Sequence, residues 1–198
     1  MALQQCGLNL SGTSRELQPH GSTEFPCAGY ASRHTQRQED DIPWHWHDEI
    51  ELISLAEGQM NVSTPSASFL LEKGRLVAIN SGVPHAASAM GECGLRSMVF
   101  SPALICGSDD SVFARKYMRP LAACKAFSGV LLEEECVSRW FAAAHDALAQ
   151  DAPGFEFTVR ENLSRICLRL CERFAGQIDE RASAMDRDDL RVKKMLGC

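Results

Sequence analysis

Short apolar segments of strand length, separated by turn-forming residues, occupy the chain from Ile42 to about Pro102. The residues between these segments are rich in Gly, Pro, Asn and Ser, which favour turns. Residues 1–40 are mostly polar and are predicted to form an irregular arm that ends in a first short strand. The predicted strands cover residues 25–30, 49–55, 60–63, 68–71, 76–79 and 95–100. Many short strands at this spacing predict a β-sandwich or a β-barrel.

The apolar periodicity changes from two to about 3.6 residues in the last third of the chain. Two stripes at helical spacing result, and they consist of Val137, Trp140, Phe141, Ala144 and Leu148, and of Leu163, Ile166, Cys167, Leu170 and Phe174. The break from Asp151 to Gly154 between them predicts an antiparallel pair of helices. A less regular helical stretch, interrupted by Pro120, is expected over residues 111–123. The chain is therefore predicted to be mainly β with an α-helical appendage.

Composition and charge restrict the class of protein. The 198 residues are 45% hydrophobic and 23% charged, and no apolar run approaches the roughly 18 residues that indicate a membrane span. The net charge of −6 argues against direct binding of DNA, because that affinity comes largely from Lys and Arg. No signal-peptide pattern begins the chain, so a cytoplasmic protein is predicted. Nine irregularly spaced cysteines without a CxxC pair indicate reduced, packed thiols.

Residues 177–198 combine a charged stretch with a pattern typical of the start of a helix. Three aspartates, at positions 186, 188 and 189, precede Val192, Met195 and Leu196 at helical spacing, as is common at a helix amino terminus. The charged stretch is predicted to be a linker. Because Cys198 follows within the first turns of that helix, we expect the native polypeptide to continue beyond it.

The strongest chemical signal is a His-x-His pair followed by a glutamate. His45 and His47 are two residues apart, so both imidazoles point to one face of an extended strand. Glu51 would lie about 13 Å from His47 in a straight strand, so the chain must turn near residues 48 and 49 to bring them together. With His85, these residues give three imidazoles and a carboxylate, which suit one Zn²⁺, Ni²⁺, Fe²⁺ or Mn²⁺ ion. The alternative is a hydrogen-bonded polar cluster that contacts an organic effector without metal.

This spacing resembles the first motif of the cupin superfamily, HxHxxxExxxxxxG, which is matched by His45, His47, Glu51 and Gly58. The second cupin motif is represented by Gly74, Gly82 and His85. The glycine, proline and asparagine that the family places around these residues are replaced by Glu39, Asn80 and Ala89. The resemblance implies a double-stranded β-helix, or jelly roll, with the four candidate ligands at its mouth.

The wider sequence resembles the sensing domains of AraC-type transcription regulators over roughly residues 20–196. The resemblance is carried by His20-Gly21-Ser22, Phe25-Pro26, and the segments 44–51, 76–85, 110–113, 117–121 and 191–196. It implies four parts along the chain. These are an irregular arm over 1–24, a cupin effector-binding barrel over 25–128, a helical dimerisation hairpin over 129–176, and a linker with the start of a truncated DNA-binding domain over 177–198.

Two further groups of residues are predicted to form binding surfaces. In the resembling family such helices form the dimer, so a homodimer seam is expected from Trp140, Phe141, Leu163, Ile166, Leu170 and Phe174; the alternative is a lid that only covers the barrel. An apolar wall of the effector pocket is expected from Met60, Met98 and Phe100, with ordinary barrel core as the alternative.

Three functions remain at this point. The leading one is a sensing module in which a small-molecule effector enters the barrel and controls an attached helix-turn-helix domain, with DNA contacted only through that domain. The second is a metal-dependent cupin enzyme of the isomerase or dioxygenase type. The third is a structural dimerisation module with a vestigial pocket. The sequence leaves the identity of the effector open.

Overall fold

The computed structural model describes residues 3–178, and within this range the chain forms nine strands in two antiparallel sheets. One sheet has the strand order β1-β8-β3-β6-β9 and the other β2-β7-β4-β5. The strands are β1 Cys27–His34, β2 Ile42–His45, β3 Ile50–Glu57, β4 Gln59–Ser63, β5 Ser68–Glu72, β6 Leu76–Ile79, β7 His85–Ala89, β8 Cys93–Phe100 and β9 Gly129–Leu132.

The chain passes back and forth between the two sheets. Strands β6 and β8 belong to the larger sheet, and β7 between them belongs to the smaller one. Apolar side chains of both sheets pack together in one core, so the sheets lie face to face. This is the predicted double-stranded β-helix, and the mainly β class with a helical appendage is confirmed.

Three strands were not predicted, each for a local reason. Strand β2 contains Pro43, which weakens a strand signal, and β7 is built mostly of Ala and Ser. Strand β9 was assigned to the helical hairpin, but it pairs with β6 at the edge of the larger sheet. The barrel therefore extends to Leu132, and the predicted hairpin boundary at residue 129 is wrong.

The larger sheet is buried on both faces, so β3 and β8 have apolar side chains at odd-numbered and at even-numbered positions. Its inner face, with Ile53 and Leu95, meets the smaller sheet in the barrel core. Its outer face, with Leu52, Met98 and Phe100, packs against the helices. An antiparallel sheet covered on both sides lacks the simple alternation of apolar and polar residues.

The long helices are α3, Glu135–Gln150, and α4, Phe155–Arg173. They are joined at the predicted turn, where Asp151 and Gly154 adopt positive φ angles. Before them come α1, Ala103–Cys106, a π-helical turn, Phe113–Met118, and α2, Arg119–Ala122. Pro120 lies in the first turn of α2, where a missing N–H is tolerated, so helical backbone continues through the predicted interruption.

No helix in the described part of the chain is long and apolar enough to cross a membrane. Of the linker and helix start predicted over residues 177–198, residues 179–198 lie outside the described residues.

The residues predicted to form a dimer seam belong instead to the core of the chain. They pack between the helices and the outer face of the larger sheet, where Leu163, Ile166 and Leu170 are fully buried. Phe141 and Phe174 are also buried, and Trp140 is partly buried against the same cluster. Five of these side chains are at most 8% exposed and have too little surface to offer a second copy, so assigning them to an interface was wrong. A stripe that covers a barrel and one that forms a seam have the same spacing.

His145 connects α3 to the barrel by a hydrogen bond. We expect it to lower the free energy of unfolding of the domain when the pH falls below neutral. Its Nε2–H donates to the carbonyl of Tyr30 at 3.0 Å, and burial lowers the pKa of the imidazole below its ordinary value. The unfolded chain then binds the proton more readily, so stability is lost as the pH falls through about 6.5. We expect His145→Gln, which keeps a donor, to flatten the dependence of urea-unfolding midpoints on pH between 7 and 5. An unchanged slope contradicts this role.

Candidate functional site

The fold brings the four candidate ligands together at one mouth of the barrel. His45 ends β2 and pairs across the sheet with His85, the first residue of β7. The chain bends at residues 48 and 49, as the spacing required, so that His47 and Glu51 of β3 face the same point. The ligand atoms of these four residues all lie within 4.8 Å of one another.

Backbone hydrogen bonds orient two of the imidazoles. His45 Nδ1 donates to the carbonyl of Pro43 at 2.8 Å, and His85 Nδ1 donates to the carbonyl of Val83 at 2.8 Å. Because a carbonyl only accepts, Nδ1 carries a proton in each ring, so Nε2 has the lone pair when the ring is neutral and donates when the ring is protonated. Such a bond from the second nitrogen is what fixes the tautomer of metal-binding histidines.

Glu51 is the acceptor at the centre of the cluster. Its Oε2 lies 2.9 Å from His85 Nε2 and 3.4 Å from His47 Nε2. Burial opposes its ionisation, but the hydrogen bonds and charges of both imidazoles outweigh burial and hold its pKa well below the usual range. Burial likewise opposes the charge of His85, yet bonding to Glu51 raises the pKa of His85. Burial and the neighbouring His85 lower the pKa of His45.

Two residues of the arm lie beside this cluster. The Glu16 carboxylate comes within 3.5 Å of His20 Nε2 and 4.0 Å of His45 Nε2. Glu16, His20 and His47 form a second group whose ligand atoms lie within 4.8 Å of one another. Sequence reasoning missed the arm residues because their segment has no regular periodicity. A glutamate and a histidine four residues apart near a cupin motif were the available signal.

A pocket of about 420 Å³ opens beside the cluster. Glu16, His20, His45, Glu51 and His85 all contribute to its lining. Its apolar lining includes Ile53, Ala87, Leu95 and Val99, and further polar or charged groups come from Ser32, Arg33, His34, Glu39, Asp40 and Asp41.

The three residues predicted to form the apolar wall do not line this pocket. Met98 and Phe100 lie on the outer face of the larger sheet, in the core shared with the helices. Val99 pairs with Glu51 and therefore shares its inward direction, since paired residues project to the same face. Met60 lies inside the barrel but is 1% exposed within the packed core. Strand β8 contributes to the pocket through Leu95 and Val99, which project to the face opposite to that of Met98 and Phe100.

The residues present fit a divalent transition metal. Three imidazoles and one carboxylate are ligands that Zn²⁺ and similar ions take in proteins. His47 Nδ1 and His20 Nε2 are buried without a hydrogen-bond partner. Glu49 Oε2 lies 3.6 Å from His47 Nδ1. Lone pairs that face carboxylate oxygens repel them unless a proton or a cation lies between.

The two-sheet barrel with this His and Glu cluster at its mouth defines a cupin fold. The family model described as AraC-like ligand binding domain matches residues 29–166, and the chain belongs to that family.

Relatives agree with this assignment. The uncharacterized HTH-type transcriptional regulator YdeC of Bacillus subtilis (strain 168) is 33% identical over 73 residues, which are 37% of this chain and 25% of that protein. A structure of ToxT from Vibrio cholerae superposes with a TM-score of 0.55 at 6% identity, over 75% of this chain and 57% of ToxT. The structure of ToxT from strain SCE256 with bound unsaturated fatty acid also superposes with a TM-score of 0.55 at 6% identity, over 75% of this chain and 55% of ToxT. The chain thus spans less than two thirds of these proteins, and the ToxT likeness shows the fold.

Proposed function

We propose that this chain is the effector-sensing domain of a transcription regulator. A small molecule binds in the barrel pocket and thereby controls an attached helix-turn-helix domain, which contacts DNA in the cytoplasm. The observation that carries the proposal is the pocket of about 420 Å³ beside a buried polar cluster, within a family of ligand-binding domains. Its volume is in the range of small-molecule sites, and the relative YdeC is named as an HTH-type regulator.

We further propose that His45, His47, Glu51 and His85 hold one divalent transition metal, Zn²⁺, Ni²⁺, Fe²⁺ or Mn²⁺. The support is the convergence of their ligand atoms and the two tautomers fixed by backbone carbonyls. The ion would supply a fixed positive charge at the end of the pocket, onto which an oxygen or nitrogen of the effector can bind.

The pocket lining favours one class of effector. Five carboxylates and one guanidinium, that of Arg33, contribute to the lining, so an anionic effector without a bound metal would meet net repulsion. The four apolar side chains Ile53, Ala87, Leu95 and Val99 also contribute to the lining. We therefore propose a small neutral or cationic molecule with one apolar side and one polar end. With metal present, the polar end binds the ion.

A homodimer is part of the proposal, with a different surface from the predicted seam. On α4 the side chain of Leu168 is 51% exposed and that of Phe157 is 81% exposed. Leu168 borders an apolar groove that also includes Ile105, Phe113 and Tyr117. A second copy that packs on this outer face of α4 would cover these side chains while leaving the inner stripe against the barrel.

Effector binding is tested by thermal shift with a panel of small neutral, cationic and fatty-acid compounds. An effector whose free concentration is about 100 times its Kd stabilises the domain by about 2.7 kcal/mol. This raises Tm by roughly 5–10 °C for a chain of this size. Ser97→Leu fills the pocket and should abolish the shift. Met98→Leu, the adjacent residue on the outer face, is the matched control and should keep it.

Two outcomes contradict the proposal. A compound that shifts both variants equally binds outside the pocket. A compound that is chemically converted by the metal-loaded protein, detected by chromatography, supports the enzyme alternative. A true effector is recovered unchanged and alters the affinity of the full-length protein for its DNA.

A further inference from the structure

The arm runs beside Trp46 and is held there by its main chain. Glu16 N donates to the carbonyl of Trp46 at 2.9 Å, and Trp46 N donates to the carbonyl of Ser14 at 3.1 Å. Arg15 forms an ion pair with Asp48. These contacts place the carboxylate of Glu16, which is 7% exposed, against the histidines of the barrel.

His20 presents its Nε2 to that carboxylate. Its Nδ1 lies 2.8 Å from the Tyr30 hydroxyl, and this hydroxyl donates its own proton to Gln4 Oε1 at 2.8 Å. The hydroxyl therefore accepts from His20 Nδ1–H, and in the neutral ring the lone pair is then on Nε2. Burial raises the pKa of Tyr30, so the phenol keeps its proton.

The backbone after His20 fixes this orientation. Gly21 has a φ of +85°, and a Cβ atom there would come within 2.5 Å of the carbonyl of Phe25. Only glycine fits this turn without strain. His20 Nε2 thus stays buried without a hydrogen-bond partner, aimed at Glu16, and its ring lies 5.1 Å from that of His47.

We propose that Glu16, His20 and His47 form a second divalent-cation position that fastens the arm to the barrel. Two imidazoles and a carboxylate face one another within 4.8 Å, and a cation between them satisfies all three. Two of the ligands belong to the arm and one to the barrel, so binding at this position joins segments that are distant in sequence. With three protein ligands the ion would keep an open coordination position. We expect this site to fill when zinc is added.

The test removes the metal position formed by His45, His47, Glu51 and His85 and measures whether zinc still binds. In the variant with His45→Ala and His85→Ala, titration with Zn²⁺ alone against a chromogenic chelator should still show one equivalent bound. Adding Glu16→Gln should weaken this binding at least about tenfold, because loss of an outer-shell partner alone already costs about 10–100-fold. Glu39→Gln, an exposed carboxylate at the pocket, is the matched control and should change nothing.

Hydrogen exchange supplies a readout that does not depend on affinity. Zinc should slow exchange of the amides of residues 13–20 in the wild-type domain and not in Glu16→Gln. A folded double variant that binds no zinc, or equal effects of Glu16→Gln and Glu39→Gln, overturns the proposal. When both positions are filled, His47 releases its ring proton to solvent and bridges the two ions through its two nitrogens. If the double variant does not fold, a fall from two equivalents to one in Glu16→Gln at saturating zinc supports the proposal, and an unchanged stoichiometry overturns it. Loss of metal from the barrel position alone leaves these results intact.

Discussion

Replacing Leu170 by glutamate is expected to unfold the domain. Leu170 is 0% exposed and lies in the core between α4 and the outer face of the larger sheet. Loss of a buried Leu side chain costs about 2–5 kcal/mol, and burial of an unpaired carboxylate adds several more. The sum approaches the roughly 5–15 kcal/mol that stabilise a typical domain. Circular dichroism should show loss of the cooperative thermal transition.

Leu168→Glu is the matched control, two residues earlier on the same helix. Leu168 is half exposed, so its replacement should leave the stability of the monomer within about 0.5 kcal/mol of wild type. The proposed dimer surface predicts in addition that this variant is a monomer by light scattering where the wild type is a dimer. A folded, monomeric Leu170→Glu would contradict the core assignment and restore the seam that the sequence first suggested.

The combined change of His45→Ala and His47→Ala is expected to abolish metal retention while the barrel stays folded. It removes two of the four proposed ligands, and His47 belongs to both groups of candidate ligands. The apolar core is formed by other side chains. Untagged protein purified without chelator should carry about one equivalent of metal, and the variant less than about a tenth. Elemental analysis measures both, and retention should weaken with falling pH because protonated imidazole does not coordinate.

His34→Ala is the control for this experiment. His34 lines the same pocket, but its nitrogens are bonded to Ser32 and to the carbonyl of Asp40, outside the cluster. The His34→Ala variant should therefore retain about as much metal as the wild-type protein. Wild-type protein with less than about a tenth of an equivalent would show that the cluster binds protons or the effector directly. The sensing function would survive that result.

Local spacing was sufficient to predict most of the barrel and the geometry of the cluster. Turn residues and strand-length apolar segments located six strands, and the four-residue separation of His47 and Glu51 required the bend that the structure shows at residues 48 and 49. These features depend only on residues close in sequence. They are therefore visible without knowledge of the fold.

The errors concern features that depend on what packs on each face. Strand β8 has apolar side chains on both faces because helices cover its outside, so parity did not distinguish Met98 from Val99. The same cause concealed the role of Leu163 and Leu170, whose spacing fits either a barrel or a partner. Glu16 and His20 reach the site through main-chain contacts with Trp46, which no periodicity reveals.

The larger sheet is a common wall between the pocket and the helix pair. Val99 projects into the pocket, while Met98 and Phe100, its neighbours on the same strand, project into the core with α3 and α4. Close-packed interiors resist compression and transmit strain. A molecule that displaced Val99 outward would therefore press Met98 and Phe100 against the helices. The pocket and the core that contains α3 and α4 are thus separated by one strand.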